Sequence, residues 1–330
     1  MSEPQRIAVI GAGAWGTALA QILAVRGHRV GLWARRDDVV TAINRSHENA
    51  PCLPGIALDP LLVASGDLET IVAGAEIVVL AVPAQHVHAL AQRLPRVTAP
   101  LVLAAKGFER RTHRLIGDVL AECVPHAPIA ILTGPSFASD VASGLPTAVT
   151  LAAREMEQAN ALAQALATPH FRVYASDDVV GAQVGGAVKN VIAIACGIVI
   201  GRGLGESARA ALMTRGLAEM ARLSVALGGR RETMMGLSGL GDLALTCGSP
   251  QSRNFALGLA LGRGAALATL LAGRRSVVEG IDTAEAVDTL ARTRGLDMPV
   301  VAAVTDVLHR AAPIDAVIRN LLSRPLREEG

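Results

Sequence analysis

The chain has 330 residues, of which 51% are hydrophobic and 2% aromatic, and its 31 lysines and arginines nearly balance its 29 aspartates and glutamates. A chain of this length has room for about two domains. The near-neutral charge excludes the strong positive field of a nucleic-acid-binding surface, so no nucleic-acid partner is expected. Few aromatic residues beside abundant Ala, Val, Leu and Gly favour an α/β fold over a β-sandwich.

The cysteines and histidines give no sign of a metal site or a disulfide framework. The four cysteines, at positions 52, 123, 196 and 247, are far apart in sequence and form no C-x-x-C motif, which fits reduced thiols in the cytoplasm. His86 and His88 are two residues apart and do not share a helix face, so no metal is expected there. The opening "MSEPQ" has no secretory pattern, and a cytoplasmic location is predicted.

The first recognisable unit is "RIAVIGAGAWGTALAQILAVRGHRVGLWARR", which begins at residue 6. It predicts a strand over 7–10, a glycine turn, a helix ending near Gly27 and a second strand over 30–34. In this context Gly11 allows the tight turn, Gly13 lets a pyrophosphate approach the backbone, and Gly16 permits close packing of helix and strand. The free N–H groups of the helix would face the phosphates. This predicts a dinucleotide-binding domain of the Rossmann type.

The end of the second strand carries the signal for cofactor choice. NAD-binding domains usually have an Asp or Glu here for the ribose hydroxyls, whereas this chain has Arg35 and Arg36. Guanidinium groups suit a 2′-phosphate. We therefore predict that NADP(H) is preferred, or that NADP(H) and NAD(H) are both accepted.

The rest of the first half alternates between apolar runs and helical patterns. Buried strands are predicted over 76–82, 101–105, 129–132 and 147–152, with helices such as 112–122 and 155–167 between them. These form a doubly wound parallel sheet, whose ligands bind at the carboxyl ends of the strands. Three predicted strands end in candidates at that edge, in "AVPAQ", "AAKGF" and "TGPSFA".

Helical patterns replace the strands after "FRVYASDD". We predict a Rossmann domain over 1–177 and a helical substrate and catalytic domain over 178–330, with helices over 179–200, 208–227, 255–262, 283–293, 299–310 and 314–323. The segment 179–201 has the length of a membrane span. It carries Gln183, Lys189 and Asn190, however, and a central lysine alone costs roughly 2.5–3.5 kcal/mol on insertion scales. A buried helix is expected instead.

Lys189 is a candidate for chemistry. Hydride delivery to a carbonyl leaves an alkoxide that needs a proton or a positive charge beside it. Asp242, in "GLSGLGDLALTC", is the carboxylate that could keep a buried Lys189 charged. Alternatively, the lysine reaches from an apolar helix to water. In "SPQSRNFALG", Ser252, Arg253 and Asn254 form either an anion site or a helix cap with a surface arginine.

Nine motifs in a fixed order carry a family resemblance: "GAGAWGTALA", "VPAQ", "AAKGFE", "TGPSFA", "AVKNVIAIACGI", "TRGLAEM", "GLSGLGDL", "SRN" and "VVEG", over residues 11 to 280. Together they resemble the bacterial NAD(P)-dependent glycerol-3-phosphate dehydrogenases. The resemblance implies a Rossmann domain followed by an all-α domain like that of 6-phosphogluconate dehydrogenase. It also implies a homodimer that reversibly reduces dihydroxyacetone phosphate to sn-glycerol 3-phosphate for phospholipid synthesis.

The resemblance also assigns roles to residues. Lys189 matches the catalytic acid/base, with Asp242 as its partner. The substrate-binding positions are Lys106, Gly134, Ser136, Lys189, Asp242, Ser252, Arg253 and Asn254. With the glycine turn and the arginine pair, the cofactor-binding positions are Gly11, Gly13, Ala14, Trp15, Gly16, Arg35, Arg36, Lys106, Ala138, Arg253, Val277 and Glu279.

The sequence departs from the family pattern at a few positions, and two other functions stay open. Cys52 stands where the relatives usually carry an aromatic residue, and Ile200, Arg202 and Ser207 differ from the commoner loop after the lysine helix. A β-hydroxyacid dehydrogenase of the phosphogluconate type is one alternative, although its supporting asparagine usually lies about four residues after the lysine rather than beside it. A non-catalytic dinucleotide sensor is the other.

Overall fold

The computed structural model describes residues 3–272 and 277–325. Its first half builds one sheet from these strands: β1 (Arg6–Ile10), β2 (Arg29–Trp33), β3 (Leu62–Ser65), β4 (Ile77–Leu80), β5 (Leu101–Leu103), β6 (Ile129–Thr133), β7 (Thr147–Ala153) and β8 (Phe171–Ser176). The strand order is β3-β2-β1-β4-β5-β6-β7-β8. The six strands predicted with bounds are confirmed, whereas no bounds were predicted for β3 or β8.

The expectation of a wholly parallel sheet is wrong at one edge. Strands β1 to β6 run parallel, but β7 runs antiparallel to β6 and β8 follows the direction of β7. A parallel crossover needs a helix that carries the chain back along the sheet. The helix between β6 and β7, Ala138–Ala142, has five residues and rises only about 7 Å. The chain therefore re-enters the sheet from the carboxyl edge.

Helices cover both faces of this sheet. They are α1 (Ala14–Val25), α2 (Asp37–Ser46), α3 (Leu68–Val72), α4 (Ala84–Ala91), α5 (Ile116–Cys123), α6 (Ala138–Ala142) and α7 (Met156–Leu166). One apolar core joins Ile7 and Val9 to α1, and a second joins Ala8 and Ile10 to α3, α4 and α5. Alternate residues of β1 thus enter opposite cores, as a doubly wound sheet requires.

The helix predicted over 112–122 begins later, at Ile116. The preceding residues form a tight loop instead, closed by an antiparallel bridge between Phe108 and Leu115. Within it His113 has a φ of 57°, which a helix does not allow.

The second half is helical. It contains α8 (Val179–Gly201), α9 (Gly205–Ala226), a 3₁₀ turn (Glu232–Met235), a π-helical turn (Leu237–Gly241), α10 (Asp242–Gly248), α11 (Arg253–Gly262), α12 (Leu267–Leu271), α13 (Glu279–Thr293), α14 (Pro299–His309) and α15 (Ile314–Leu322). The six predicted helices are confirmed, with ends shifted by up to four residues. The short α10 and α12 were not predicted. The predicted fold class, a Rossmann sheet followed by an all-α region, is confirmed.

Helix α8 runs through the centre of the helical half. By length and composition it could cross a membrane, but 89% of its most apolar 18-residue window is buried inside this fold. Glycines at matching positions let α8 and α11 touch: a Cβ on Gly197 would collide with the carbonyl oxygen of Phe255, and one on Gly258 with that of Ile194. The Ala and Gly content of α8 therefore reflects close helix packing around a buried axis.

Candidate active site

The glycine turn has the shape of a phosphate cradle. Gly11 has a φ of 117°, and a Cβ there would lie 2.7 Å from the carbonyl oxygen of Ala81. A Cβ on Gly16 would collide with the carbonyl oxygen of Gly11, whereas no atom of the described residues lies within 4 Å of the Cβ position of Gly13. Gly13 is the N-cap residue of α1 and has no side chain that could accept from the first N–H groups of the helix, which leaves these donors for a ligand. The turn therefore fits a pyrophosphate.

The remaining members of the turn lie where the sequence predicts. Ala14 and Trp15 are the first residues of α1. Ala138 is the first residue of α6 and packs against the same core as Trp15. The turn, α1 and α6 thus form one wall at the carboxyl edge of the sheet.

The two arginines after β2 differ in their surroundings. Arg36 caps α2, and its Nε donates to Oδ1 of Asp38 at 2.9 Å. Arg35 is exposed, and its guanidinium has no hydrogen bond or ion pair within the described part of the chain. Arg35 is thus the arginine whose donors are available to a phosphate.

Lys106 and Gly134 meet at the carboxyl edge of neighbouring strands. Lys106 follows β5, and its Nζ donates to the carbonyl oxygen of Gly134, after β6, at 3.3 Å. The Ser136 hydroxyl donates to the same oxygen at 3.0 Å. Gly134 has a φ of 138°, and a Cβ there would lie 2.8 Å from Cα of Val149. Only glycine fits this position.

Lys189 of α8 is buried, with 7% exposure, and points at Asp242. Its Nζ donates to Asp242 Oδ1 at 2.5 Å and to the Thr246 hydroxyl at 2.8 Å. The other carboxylate oxygen of Asp242 accepts from Lys106 Nζ at 2.7 Å. One carboxylate therefore holds two ammonium groups, one from each half of the chain. The three groups carry a net positive charge.

The environment of Lys189 lowers its pKa. Burial lowers the pKa of Lys189 from 10.5 to about 8, with the charge of Asp242 opposing that shift and the charge of Lys106 adding to it. A lysine with this pKa is mostly protonated at neutral pH and gives up its proton more readily than an exposed one. Both properties suit an acid/base group.

Glycines bring Asp242 to Lys189. The π-helical turn before α10 lies against α8, where a Cβ on Gly185 would collide with the carbonyl oxygen of Ser238. A Cβ on Gly239 would collide with Met234. π-Helical turns are common at functional sites, and here the turn ends directly at Asp242.

Thr246 and Asn190 belong to the site but are absent from the predicted binding sets. The Thr246 hydroxyl donates to the backbone oxygen of Asp242 at 2.6 Å, which leaves its lone pairs for Lys189. Its position four residues after Asp242 on one helix was the available signal. Asn190, next to Lys189, accepts at its Oδ1 from Asn254 Nδ2 at 2.9 Å.

The "SRN" segment is divided between two roles. The Ser252 hydroxyl accepts from Phe255 N–H at 3.2 Å and caps α11, as the helix-cap alternative predicts. Arg253 is exposed at the first turn of that helix, with no side-chain hydrogen bond within residues 3–272 and 277–325. Asn254 is buried, and its Oδ1 accepts from Gly280 N–H at 3.0 Å.

Glu279 joins the two halves from the other side. It begins α13, and its Oε1 accepts from the backbone N–H of Ala84, at the start of α4, at 3.3 Å. Burial raises the pKa of Glu279, while the charges of Arg253, Lys106 and Lys189 lower it. Glu279 is therefore within the field of the site's cations. Val277 is exposed and lies next to residues 273–276, which are outside the described part.

The histidines that raised the question of a metal have protein partners or face solvent. His88 Nδ1 lies 3.1 Å from Glu109 Oε1, and His86 is exposed. Within residues 3–272 and 277–325, no group of three or more His, Cys, Asp or Glu side chains is suited to a metal ion.

A phosphate-cradling glycine turn in a Rossmann sheet, facing a buried lysine from a helical half, defines a nicotinamide-dependent dehydrogenase. The particular family follows from comparison with known proteins. The chain belongs to the NAD-dependent glycerol-3-phosphate dehydrogenase family: the model of the family's N-terminal part matches residues 6–159, and that of its C-terminal part matches residues 178–319.

Individual relatives agree with this assignment. The glycerol-3-phosphate dehydrogenase [NAD(P)+] of Parvibaculum lavamentivorans is 53% identical over 98% of both chains. That of Rhodospirillum rubrum is 54% identical over 98% of this chain and 94% of its own. The crystal structure of glycerol-3-phosphate dehydrogenase from Coxiella burnetii is 38% identical and superposes with a TM-score of 0.92, covering 97% of this chain and 99% of that one.

Proposed function

We propose that this protein is an NAD(P)-dependent sn-glycerol-3-phosphate dehydrogenase that reversibly reduces dihydroxyacetone phosphate. When bound, the reduced nicotinamide cofactor supplies a hydride to the ketone carbon. The ketone oxygen then takes a proton, and the product is an alcohol. The observation that carries the proposal is the sharing of Asp242 by Lys189 and Lys106, which concentrates positive charge at the junction of the two halves.

Lys189 is the proposed acid. Its ammonium donates a proton to the oxygen as negative charge develops there, and it takes a proton back when the alcohol is oxidised. Asp242 and Thr246 each accept a hydrogen bond from Nζ, which leaves the third N–H for the substrate. Asp242 thus orients the ammonium and keeps it charged.

The substrate phosphate is proposed to bind at Arg253, with Asn254 beside it. The Arg253 guanidinium is exposed at the first turn of α11, and a guanidinium together with a helix N-terminus is a suitable site for a dianion. Lys106, Gly134 and Ser136 are proposed to line the rest of the substrate site. The cofactor is assigned to the glycine turn, Arg35, Ala138 and Glu279.

Three broader features are part of the proposal. A homodimer in the cytoplasm, supplying sn-glycerol 3-phosphate for phospholipid synthesis, agrees with the family resemblance. The division into a cofactor domain over 1–177 and a substrate domain over 178–330 agrees with the change from β8, which ends at Ser176, to α8, which begins at Val179. Light scattering after size-exclusion chromatography tests the dimer.

The decisive experiment follows oxidation of NADPH and of NADH with dihydroxyacetone phosphate, unphosphorylated dihydroxyacetone and 3-keto acids as parallel substrates. We expect turnover with the phosphorylated ketone and little with the others. Preferential use of a 3-keto acid would favour the β-hydroxyacid alternative. Cofactor binding without turnover of any substrate would favour the sensor.

A further inference from the structure

The loop between α2 and β3 carries a buried asparagine that contacts the glycine turn. Asn49 is 1% exposed, and its Nδ2 donates to the carbonyl oxygen of Ala12 at 3.0 Å and to the Thr17 hydroxyl at 2.8 Å. Ala12 lies between Gly11 and Gly13 of the turn. The side chain therefore holds the turn from the side opposite its open face.

The backbone of Asn49 is itself fixed. Its carbonyl oxygen accepts from the N–H groups of Cys52 at 3.0 Å and of Leu53 at 2.8 Å, and Leu53 is buried in the core. The far end of the same loop is bound to α1 through Gln21, whose Oε1 accepts from Asp59 N–H at 2.7 Å. Asn49 thus presents its amide from a rigid support.

The contact with Ala12 fixes a donor on the other side of the same peptide. The peptide bond is planar and trans, so the carbonyl of Ala12 and the N–H of Gly13 point in opposite directions. Holding the carbonyl towards Asn49 therefore directs the Gly13 N–H away from Asn49. Within the part of the chain that the structure describes, no atom lies within 4 Å of the Cβ position of Gly13. The plane of this peptide rotates about ψ of Ala12 and φ of Gly13, and glycine restricts φ little. An external contact therefore has a large effect on its orientation.

We propose that Asn49 is a positioning residue for the cofactor, because it orients the Gly13 N–H towards the pyrophosphate. The inference rests on the proposed function only in that the glycine turn binds a nicotinamide dinucleotide. It assigns Asn49 no contact with the substrate or with the reacting atoms. Loss of the amide donor should therefore weaken cofactor binding and leave the chemical step nearly unchanged.

The test replaces Asn49 by Asp, which keeps the shape and removes the donor. Dissociation constants for NADPH are measured from its fluorescence without substrate. We expect the Kd to rise at least about tenfold, since a carboxylate would repel the Ala12 carbonyl. The KM for NADPH should rise in parallel, whereas kcat at saturating cofactor and the KM for dihydroxyacetone phosphate should stay within about twofold.

Asn44→Asp is the matched control. Asn44 makes an equivalent pair of contacts in the same domain, donating to the Ala64 carbonyl at 2.9 Å and accepting from the Ala64 N–H at 2.8 Å, but it lies away from the glycine turn. The Asn44→Asp variant should have a lower melting temperature but an unchanged Kd for NADPH. If Asn49→Asp does not fold, Asn49→Ala takes its place: it removes the donor without adding a repulsive carboxylate, and the Kd for NADPH should again rise, by more than twofold.

The outcomes separate this inference from the proposed function. A folded Asn49→Asp protein with a Kd for NADPH within twofold of the wild type overturns the positioning role, as does an equal rise in Kd for Asn44→Asp. A wild type that binds NADPH but does not reduce dihydroxyacetone phosphate overturns only the substrate assignment. A wild type that binds neither NADPH nor NADH overturns both.

Discussion

Asp242 and Lys106 are 136 residues apart in sequence, yet Lys106 Nζ donates to Asp242 Oδ2 at 2.7 Å. This contact joins the carboxyl edge of the sheet to the helical half, on the same carboxylate that holds Lys189. Asp242 is fully buried. Without its charge, the buried Lys189 ammonium and the partly buried Lys106 ammonium would face each other with no counter-ion, which is unfavourable.

Replacing Asp242 by Asn should therefore impair catalysis. Loss of the carboxylate removes the charge that raises the pKa of Lys189, so that pKa falls further and less of the ammonium form remains at neutral pH. We expect kcat for ketone reduction to fall at least about a hundredfold. Steady-state kinetics at pH 7 measures it. Asp288→Asn is the control, because Asp288 is also a buried carboxylate but pairs with Arg310 away from the site. A similar loss of kcat in both variants would contradict the role of Asp242.

The pKa of Lys189 predicts opposite pH dependences for the two directions. Ketone reduction needs the ammonium form, so kcat/KM should fall as the pH rises through about 8, whereas alcohol oxidation needs the free amine and should rise through the same value. The substrate phosphate titrates near pH 6, outside this window. Profiles in both directions test this expectation.

Replacement of the lysine provides the control for those profiles. Lys189→Met should lower kcat at least about a hundredfold. The change in kcat/KM near pH 8 should disappear from the pH profile, and the Kd for NADPH should be nearly unchanged. A variant that keeps a tenth of the wild-type kcat would show that another group supplies the proton.

Cofactor preference should depend on Arg35 more than on Arg36. Arg36 is occupied by Asp38, whereas the Arg35 guanidinium is unpaired within the described residues. We expect Arg35→Ser to raise the KM for NADPH about tenfold or more with little change for NADH, because it removes a charged contact to the 2′-phosphate. Arg36→Ser is the matched variant. The KM values for NADPH and NADH are measured for both variants. A larger rise in the KM for NADPH with Arg36→Ser would assign the 2′-phosphate contact to Arg36 instead.

Arg253→Ala and Ser252→Ala should separate phosphate binding from helix capping. A phosphate anchor supplies binding energy remote from the reacting carbon, so Arg253→Ala should chiefly raise the KM for dihydroxyacetone phosphate. Ser252 caps α11, and its loss should cost about 1 kcal/mol of stability. Kinetics and urea unfolding measure the two effects. An unchanged KM for Arg253→Ala would remove the arginine from the phosphate site.

The sequence predicts the glycine turn well, because the turn is local: strand, glycines and helix lie within about thirty residues. The pairing of Lys189 with Asp242 was also predictable, since Asp242 stands in a glycine-rich polar segment that interrupts the helical patterns. The contact between Asp242 and Lys106 could not be predicted from the sequence, because it depends on how the two halves pack. The direction of β7 likewise depends on the length of α6, which no periodicity in "TGPSFASDVASG" reveals.

A buried carboxylate far from the glycine turn gives the last prediction. Glu219 of α9 is 1% exposed and accepts from the N–H groups of Val300 and Val301, at the start of α14, at 2.7 and 3.1 Å. Burial raises the pKa of Glu219 from 4.5 to about 7, although both hydrogen bonds oppose the shift. The native state thus holds a proton that the unfolded chain releases between these two pH values.

The linkage between proton binding and folding fixes the direction in which this group changes stability with pH. Where the native state binds more protons than the unfolded state, the free energy of unfolding falls as the pH rises. Glu219 should therefore lower stability by about 3 kcal/mol between pH 4.5 and 7. His28 acts in the opposite sense, because burial lowers its pKa and its contribution increases with pH. The wild type must therefore be compared with Glu219→Gln, which keeps His28 and cannot titrate at position 219. The free energies of unfolding of both proteins are measured in urea at pH 5 and 7.5. The wild type should lose stability relative to Glu219→Gln at the higher pH. An unchanged difference would mean that Glu219 is ionised throughout.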